Sequence, residues 1–309
     1  KQNAPQKMHK LASLAKAGGK SFRAATIAME INAESSDKKV LHPCIQCGDC
    51  ATGCNYGAKK SLDTNLLHVA ARKGAQIFTG ATVLKFEQTT GSDSAWSLSV
   101  TYTSKRLKER LGEPVKIKAK QLIVAAGSYG STELLMRSQS EQLQFSTRLG
   151  AGFSSNGDMI AAGYPKAQKL TEPVNAIADE RDEPATRGVG PTITGVIDLP
   201  AEKGRPPMMV QELAAPGLVG RLFSELVTTG NLLHNLGSQD RTAHEQGRPA
   251  NDPAAVNRDR IKATSIYAVF GDDGADGELK LSDDHEGHAN EQGGIHVQWP
   301  GLPQNALFD

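Results

Sequence analysis

The fold is indicated most clearly by the stretch Gln121-Leu-Ile-Val-Ala125-Ala-Gly127-Ser-Tyr-Gly130-Ser131. Its first five residues predict a buried strand, Gly127–Gly130 predicts a tight turn, and Ser131 to Arg137 predicts the start of a helix. An α/β sheet uses this order of elements to direct backbone N–H groups at an anionic ligand. The turn lacks the Gly-x-Gly-x-x-Gly order of a dinucleotide fingerprint, so by itself it also fits a generic strand-to-helix connection.

The remaining pattern predicts short elements on both sides of this stretch. Residues 1–40 are expected to be largely helical, with Leu11, Leu14 and Ala15 on one face, and a helix is expected from Leu62 to Arg72. Strands are predicted at Gln76–Thr79, Thr82–Glu87, Ser97–Tyr102, Thr192–Leu199, Met208–Leu213, Ile266–Phe270, Gly277–Leu281 and Gly294–Trp299.

The bulk composition is that of a globular chain. Its 309 residues are 38% hydrophobic and 22% charged, with a formal net charge of +1, and this length suggests two domains. A nearly neutral chain has no electrostatic basis for binding nucleic acid. No apolar run reaches the ~18 residues that a membrane-spanning helix needs. We therefore expect neither a nucleic-acid partner nor a transmembrane segment.

All four cysteines lie in one run, Cys44-Ile-Gln-Cys47-Gly-Asp-Cys50-Ala-Thr-Gly-Cys54. Clustered spacing predicts metal or redox chemistry rather than a disulfide framework, which would scatter the cysteines along the chain. The spacing is that of bacterial ferredoxins, in which such thiolates hold a 4Fe-4S iron–sulfur cluster. In two-cluster ferredoxins the fourth cysteine serves the other cluster, and this chain has no second run. Three alternatives stay open: an iron–sulfur cluster, structural zinc, and free or disulfide-paired thiols.

One carboxylate stands out in an apolar predicted strand. Glu212 ends the run Met208-Met-Val-Gln-Glu212. It is either a carboxylate on the solvent face of the strand or a proton acceptor enclosed in an apolar pocket.

Beyond these patterns, the chain resembles the GMC (glucose–methanol–choline) oxidoreductases, in particular the cholesterol-oxidase-like branch. The resemblance covers residues from about 40 to the end. It is carried by an ordered series of segments: Gly57-Ala-Lys-Lys-Ser-Leu-Asp-Thr-Asn65, Val124-Ala-Ala-Gly-Ser-Tyr-Gly-Ser-Thr-Glu-Leu-Leu-Met-Arg-Ser138, Gly150-Ala-Gly-Phe-Ser-Ser-Asn156-Gly-Asp158, Gly190-Pro-Thr-Ile-Thr194, Gln211-Glu-Leu-Ala-Ala-Pro-Gly217 and Val297-Gln-Trp299. The second segment departs from many family members at Thr132 and Gln139, and the cholesterol-oxidase-like branch shares both departures.

The resemblance implies an α/β (mixed α+β) fold. Part of an FAD-binding Rossmann-like domain would be interleaved with a substrate domain built on a mixed β-sheet with helices. Residues 1–56 would be a substrate-domain segment with the Cys-rich loop, and residues 57–150 part of the FAD-binding domain. Residues 151–309 would be the substrate-binding domain, incomplete at its C-terminus.

The resemblance also implies roles for individual residues. The backbone of Val83 would contact the adenine of FAD, Ala126 and Gly127 would pass near the flavin nucleotide, and Asn156 would lie near the isoalloxazine edge. Glu212 would occupy the position of the carboxylate that helps to deprotonate the substrate in sterol oxidases.

Two pieces of the family pattern are missing from the chain. It has no Gly-x-Gly-x-x-Gly segment for the FAD pyrophosphate and no His-Pro-Leu-Gly-Gly-like segment for the family's catalytic histidine. We therefore expect the chain to be the central fragment of a longer protein and to be inactive alone.

The expected activity of the whole protein is FAD-dependent oxidation of a secondary alcohol, such as a sterol, by hydride transfer to flavin. An iron–sulfur cluster at the cysteines would add an electron exit to an acceptor protein or a quinone. The alternatives are a ferredoxin-like electron-transfer protein and a zinc-bearing structural module. Cytoplasmic location is the default expectation, and export stays open.

Overall fold

The computed structural model divides into two compact units, each assembled from two separate parts of the chain. Unit 1 comprises Lys1–Arg72 and Gly157–Asp272, and unit 2 comprises Lys73–Asn156 and Asp273–Asp309. The structure describes residues 3–31, 41–90, 95–104, 106, 110–163, 173–179, 182–217, 219–220, 222, 225–226, 229, 258–282, 294–305 and 307.

Unit 1 is built on a five-stranded sheet in the order β1-β7-β8-β9-β6, and every pairing in it is antiparallel. Its helices and strands, numbered in chain order, are α1 (Gln6–Ala17), β1 (Phe22–Ala24), α2 (Leu66–Arg72), β6 (Met159–Gly163), β7 (Gly195–Leu199), β8 (Met208–Glu212), α4 (Arg258–Lys262) and β9 (Ser265–Gly271). Two 3₁₀ turns accompany them, at Cys50–Thr52 and Pro184–Thr186.

Helix α1 covers one face of this sheet. It begins after Pro5 and ends at Ala17, with Gly18 as its C-terminal cap. Leu11 and Ala15, four residues apart, are buried in a cluster with Ile197 of β7, with Phe22 and Val210 packed around it. Leu14, which the sequence pattern placed on the buried face, is 44% exposed. Since i, i+4 neighbours share a helix face, the buried row continues from Leu11 back to Lys7 instead.

Unit 2 contains a three-stranded meander, a helix and a second small antiparallel sheet. The elements are β2 (Ala81–Gln88), β3 (Trp96–Thr103), β4 (Arg110–Ala119), α3 (Gly127–Ser138), β5 (Ala151–Phe153), β10 (Gly277–Leu281) and β11 (Ile295–Gln298), with a 3₁₀ turn at Leu302–Gln304. The sheets have the orders β2-β3-β4 and β11-β10-β5. Helix α3 packs on β2, where the backbone N–H of Phe86 donates to Ser138 Oγ at 3.0 Å.

Most of the strongly alternating strands were predicted correctly, within three residues at each end. The exceptions are informative. Gln76–Thr79 forms no strand. Gln121–Ala125 forms none either, because none of the described strands pairs with it, and Ile123 is 86% exposed. The expected turn at Gly127–Gly130 is already the first turn of α3.

The mixed α/β character is confirmed, but the pairing differs from the expectation. Where the resemblance implied a mixed sheet, all sheet pairings between described strands are antiparallel. The domain divisions expected after residues 56 and 150 stay predictions. None of the described helices combines the length and apolar composition that crossing a bilayer requires.

Candidate functional site

A cleft of about 650 Å³ opens in unit 2 at the start of α3. It is bounded by the first turns of the helix and by the loop and strand around β5. The lining residues are Ser128, Tyr129, Thr132, Gly150, Ala151, Gly152, Phe153, Ser154, Ser155, Asn156 and Leu279.

The start of α3 gives the cleft an electropositive end. The first N–H groups of a helix have no partner within the helix, and the helix dipole adds positive potential there. Gly127 has φ +75°, and no side chain caps the helix at Ala126. The hydroxyl of Ser131 reaches back and accepts the N–H of Ala126 at 2.9 Å. Such an end can bind a phosphate or another anion.

The opposite wall depends on a close backbone approach at Gly150. This residue has φ +93°, and a Cβ atom at this position would come within 2.3 Å of the carbonyl oxygen of Leu279. Only glycine allows the wall to approach β10 this closely.

A buried carboxylate holds the loop at the cleft rim. Asp273, 2% exposed, accepts hydrogen bonds from the backbone N–H of Ser155 at 2.8 Å and from its hydroxyl at 3.2 Å. Asn156 follows directly with φ +60°, a left-handed conformation that asparagine tolerates. The sequence analysis missed Asp273, because its partner lies 118 residues away.

The predicted flavin residues have different positions relative to this cleft. Asn156 lines it. Ala126 and Gly127 lie at the helix start, directly before the lining residue Ser128, without lining the cleft themselves. Val83 lies in β2 and is not among the lining residues. Their roles in cofactor binding stay predictions.

The four cysteines of unit 1 line one small pocket. Left-handed backbone conformations at Gln46 (φ +59°), Gly48 (φ +86°) and Gly53 (φ +107°) fold the run into successive tight turns. The rest of the lining includes Met29, Ile45, Tyr56, Ala58 and Gly190. The run therefore places its four cysteines around one small pocket.

The thiols of the pocket differ in acidity. Burial raises the pKa of the Cys44 and Cys47 thiols. Burial also acts to raise the pKa of Cys54, but backbone N–H donors at residues 56 to 59 outweigh it, and this pKa lies below its ordinary value. The N–H of Ala58 lies 3.2 Å from Cys54 Sγ. Cys54 is therefore more readily a thiolate than Cys44 or Cys47.

No metal site is formed as the side chains stand. Within the described ranges, no three Cys, His, Asp or Glu side chains form a group that could hold a metal ion. The iron–sulfur and zinc interpretations of Cys44, Cys47, Cys50 and Cys54 thus gain no support from their present geometry.

Hydrogen bonds connect the cysteine run to residues 187–190 and to Gly217. Asp49 accepts a hydrogen bond from Arg187 Nη1 at 2.8 Å and another from the N–H of Gly217 at 3.2 Å. The carbonyl oxygen of Gln46 accepts the N–H groups of Val189 and Gly190 at 3.0 and 3.1 Å.

Glu212, at the end of β8, lies in the interior of unit 1 and is 1% exposed. Of the two sequence-based alternatives, the solvent-facing carboxylate is therefore wrong. The carboxylate accepts hydrogen bonds from four donor groups. They are the N–H of Thr194 at 2.6 Å, the hydroxyl of Thr194, the N–H of Gly195 at 2.8 Å, and Lys7 Nζ at 3.0 Å.

The partner of Glu212 that the sequence analysis missed is Lys7. Its side chain is 1% exposed. Desolvation lowers the pKa of Lys7, although the charge of Glu212 and its hydrogen bond oppose this effect. The available signal was the spacing of Lys7 four residues before buried Leu11.

Comparison with known proteins shows which class of protein part of this chain resembles. Residues 12–151 match the family model described as GMC oxidoreductase. The matched stretch, somewhat less than half of the chain, is therefore similar to the GMC oxidoreductases, and individual relatives extend this similarity.

Those relatives are cholesterol oxidases. The chain is 30% identical over 176 residues to a cholesterol oxidase of Mycobacterium tuberculosis (strain CDC 1551 / Oshkosh), a match that covers 53% of the chain and 30% of the relative. It is 30% identical over 144 residues to a cholesterol oxidase of Acinetobacter baumannii, covering 42% of the chain and 23% of the relative. The chain thus spans less than a third of the length of these relatives.

Proposed function

We propose that the protein is an FAD-dependent oxidoreductase that acts on the CH–OH group of a small-molecule alcohol. The similarity of residues 12–151 to the GMC oxidoreductases carries this proposal. The cleft at the start of α3 supports it, because the helix end offers N–H groups to an anionic cofactor and the glycines allow close approach.

The cleft residues would bind and orient the cofactor. Ala126 and Gly127, at the electropositive helix start, would face the flavin nucleotide, and Asn156 would lie at the edge of the isoalloxazine ring. Val83 would contact the adenine through its backbone. Bound flavin supplies the acceptor for a hydride from the alcohol carbon.

Glu212 is our candidate for the carboxylate that handles the hydroxyl proton. Its enclosure supports this role, because a carboxylate removed from water interacts strongly with every charge or proton nearby. Thr194 and Lys7 are its hydrogen-bonded neighbours, so a proton would reach it through one of them or after one of them moves.

A bulky apolar secondary alcohol, such as a sterol, is the substrate that we propose. The relatives are cholesterol oxidases, which supports this choice of substrate. The fold alone does not fix a substrate pocket.

The proposal is tested on the whole gene product that contains this chain. Its absorption spectrum is recorded anaerobically, before and after addition of cholesterol or of a short secondary alcohol. We expect flavin bands that bleach with the sterol and respond far less to the short alcohol. A protein without flavin, or a flavin that no secondary alcohol reduces, would overturn the proposal.

The spacing of the cysteine run suggests a second candidate function, an iron–sulfur electron exit. Its basis is the ferredoxin spacing of Cys44, Cys47, Cys50 and Cys54, and the present positions of the four side chains do not add to it. Electrons would then leave for an acceptor protein or a quinone. Iron and acid-labile sulfide in stoichiometric amounts, and loss of acceptor use in Cys47→Ser, are expected. Zinc without sulfide would indicate a structural site instead, and thiols that bind no metal would reject both.

A further inference from the structure

Lys7 is the most deeply buried cation among the described residues, and its ammonium group has three acceptors. Nζ donates to Glu212 Oε1 at 3.0 Å, and it lies 3.4 Å from both Thr194 Oγ1 and the carbonyl oxygen of Thr192. The three acceptors match the three N–H donors of a lysine ammonium. No water needs to complete this set.

The surroundings of the pair come from several elements of unit 1. Lys7 lies on α1, Glu212 ends β8, and Thr194 directly precedes β7. Tyr267 of β9 is the cross-strand neighbour of Glu212 in the β8–β9 pairing, and the two side chains interact electrostatically. Cys50, in the 3₁₀ turn of the cysteine pocket, is near enough to act electrostatically on Lys7. Within the part of the chain that the structure describes, Tyr267 and Cys50 are the further titratable groups that interact with the pair.

The two carboxylate oxygens of Glu212 accept different sets of hydrogen bonds. Oε1 accepts from Lys7, from both donors of Thr194 and from the N–H of Gly195, whereas Oε2 accepts from the N–H of Gly195. Without Lys7, the carboxylate would keep its backbone donors but lose the only full positive charge that contacts it within the described chain. A buried carboxylate without a counter-charge is strongly disfavoured.

We propose that Lys7 is a positioning residue for the alcohol oxidation, fixing the charge and the orientation of Glu212 from helix α1. The inference rests on the proposed function, since it assigns Lys7 to the site of Glu212. Lysine suits this role because its ammonium group can share a proton with an adjacent carboxylate, which a guanidinium does not do.

The test compares Lys7→Met, Lys7→Arg and the control Lys16→Met in the flavin-loaded gene product. Lys16 is an exposed lysine of the same helix. We expect Lys7→Met to slow alcohol-dependent flavin reduction about 10–100-fold and to move the acid limb of the pH–rate profile by about one pH unit or more. Lys7→Arg should return the acid limb of the pH–rate profile to its wild-type position. It should restore only part of the rate of flavin reduction. Lys16→Met should match the wild type.

A second readout does not need flavin. Side-chain NMR of the ¹⁵N-lysine-labelled protein follows the titration of Lys7 in the wild type and in Glu212→Gln. Loss of the carboxylate should move this titration to lower pH, because Glu212 now opposes the desolvation of Lys7. This measurement still decides the coupling if Lys7→Met does not fold.

The outcomes separate the two proposals. Wild-type protein whose flavin no alcohol reduces would overturn the proposed function, and the role of Lys7 with it. Active wild type with Lys7→Met and Lys7→Arg both matching Lys16→Met in rate and pH profile would overturn the role of Lys7 alone. An unchanged Lys7 titration in Glu212→Gln would also overturn it.

Discussion

Gly48 lies directly against Val189: a Cβ atom at residue 48 would come within 2.6 Å of Val189 Cγ1. Gly48 also has φ +86°, a conformation that L side chains rarely adopt. Two independent constraints thus require glycine between Cys47 and Asp49. The shape of the cysteine pocket therefore depends on a segment some 140 residues away along the chain.

Gly48→Ala is expected to destabilise unit 1 by about 3 kcal/mol, since left-handed backbone strain and steric overlap each cost about 1–2 kcal/mol. Hydrogen exchange of the unit 1 amides measures the effect. Gly188→Ala is the control, because Gly188 also has positive φ (+62°), but a Cβ atom there would approach none of the described residues within 4 Å. Equal effects of the two substitutions would show that Val189 does not restrict residue 48.

Asp49→Asn is expected to cost about 2 kcal/mol of stability in unit 1. The substitution keeps the shape of the side chain but removes the charge that pairs with Arg187, whose side chain is only 8% exposed. Chemical denaturation followed by circular dichroism measures the loss. Asp198→Asn, which breaks the exposed pair with Arg23, should change stability little because solvent screens it. If Asp49→Asn leaves the stability of unit 1 unchanged, the ion pair between Asp49 and Arg187 does not stabilise the position of the cysteine run.

Gly150→Ala is expected to disrupt unit 2, because its new methyl group would overlap the carbonyl oxygen of Leu279 at 2.3 Å. Both tryptophans of the chain, Trp96 and Trp299, lie in unit 2, so tryptophan fluorescence during denaturation follows this unit. Gly152→Ala is the matched control, with similar φ (+83°) and no atom of the described residues closer than 4.0 Å to its new methyl group. A midpoint for Gly150→Ala as high as that of Gly152→Ala would contradict the expectation.

The free energy of unfolding of the reduced protein is expected to fall as pH rises above about 9, partly because of Cys44 and Cys47. Burial raises the pKa of both thiols above the ordinary 9.0, so the unfolded chain loses these protons first and is favoured in that window. Their contribution to stability is present below pH 9.0 and is lost as pH rises toward the folded-state pKa. Cys44→Ala should flatten this slope in pH-dependent denaturation. An unchanged slope would show that Cys44 does not contribute.

Local pattern was sufficient to predict much of the fold. Gly277–Leu281 was predicted residue for residue, and Ser97–Tyr102 lies within β3, because alternation of polar and apolar residues reports a half-buried strand directly. The edge strand β4 was not predicted. Its Gly112 and Pro114 are turn-forming residues, and its strand character comes from pairing with β3.

The candidate sites were predicted less completely. The cysteine run is visible in the sequence because its members are close together, and Glu212 stood out as a charge in an apolar strand. Their partners were not visible: Lys7 lies 205 residues from Glu212, and Arg187 lies 138 residues from Asp49. No periodicity links such pairs, since only the tertiary fold brings them together.

The assembly of each unit from two separate chain segments affects how the protein is made. Strand β1 pairs with β7. Residues 22–24 therefore cannot form this edge of the sheet until residues 195–197 have left the ribosome. During that interval, the first segment of unit 2 is synthesised between them. Pairings this distant in sequence fold slowly and expose apolar strands to other chains meanwhile. Synthesis rate and chaperone supply are therefore expected to affect the yield of folded protein.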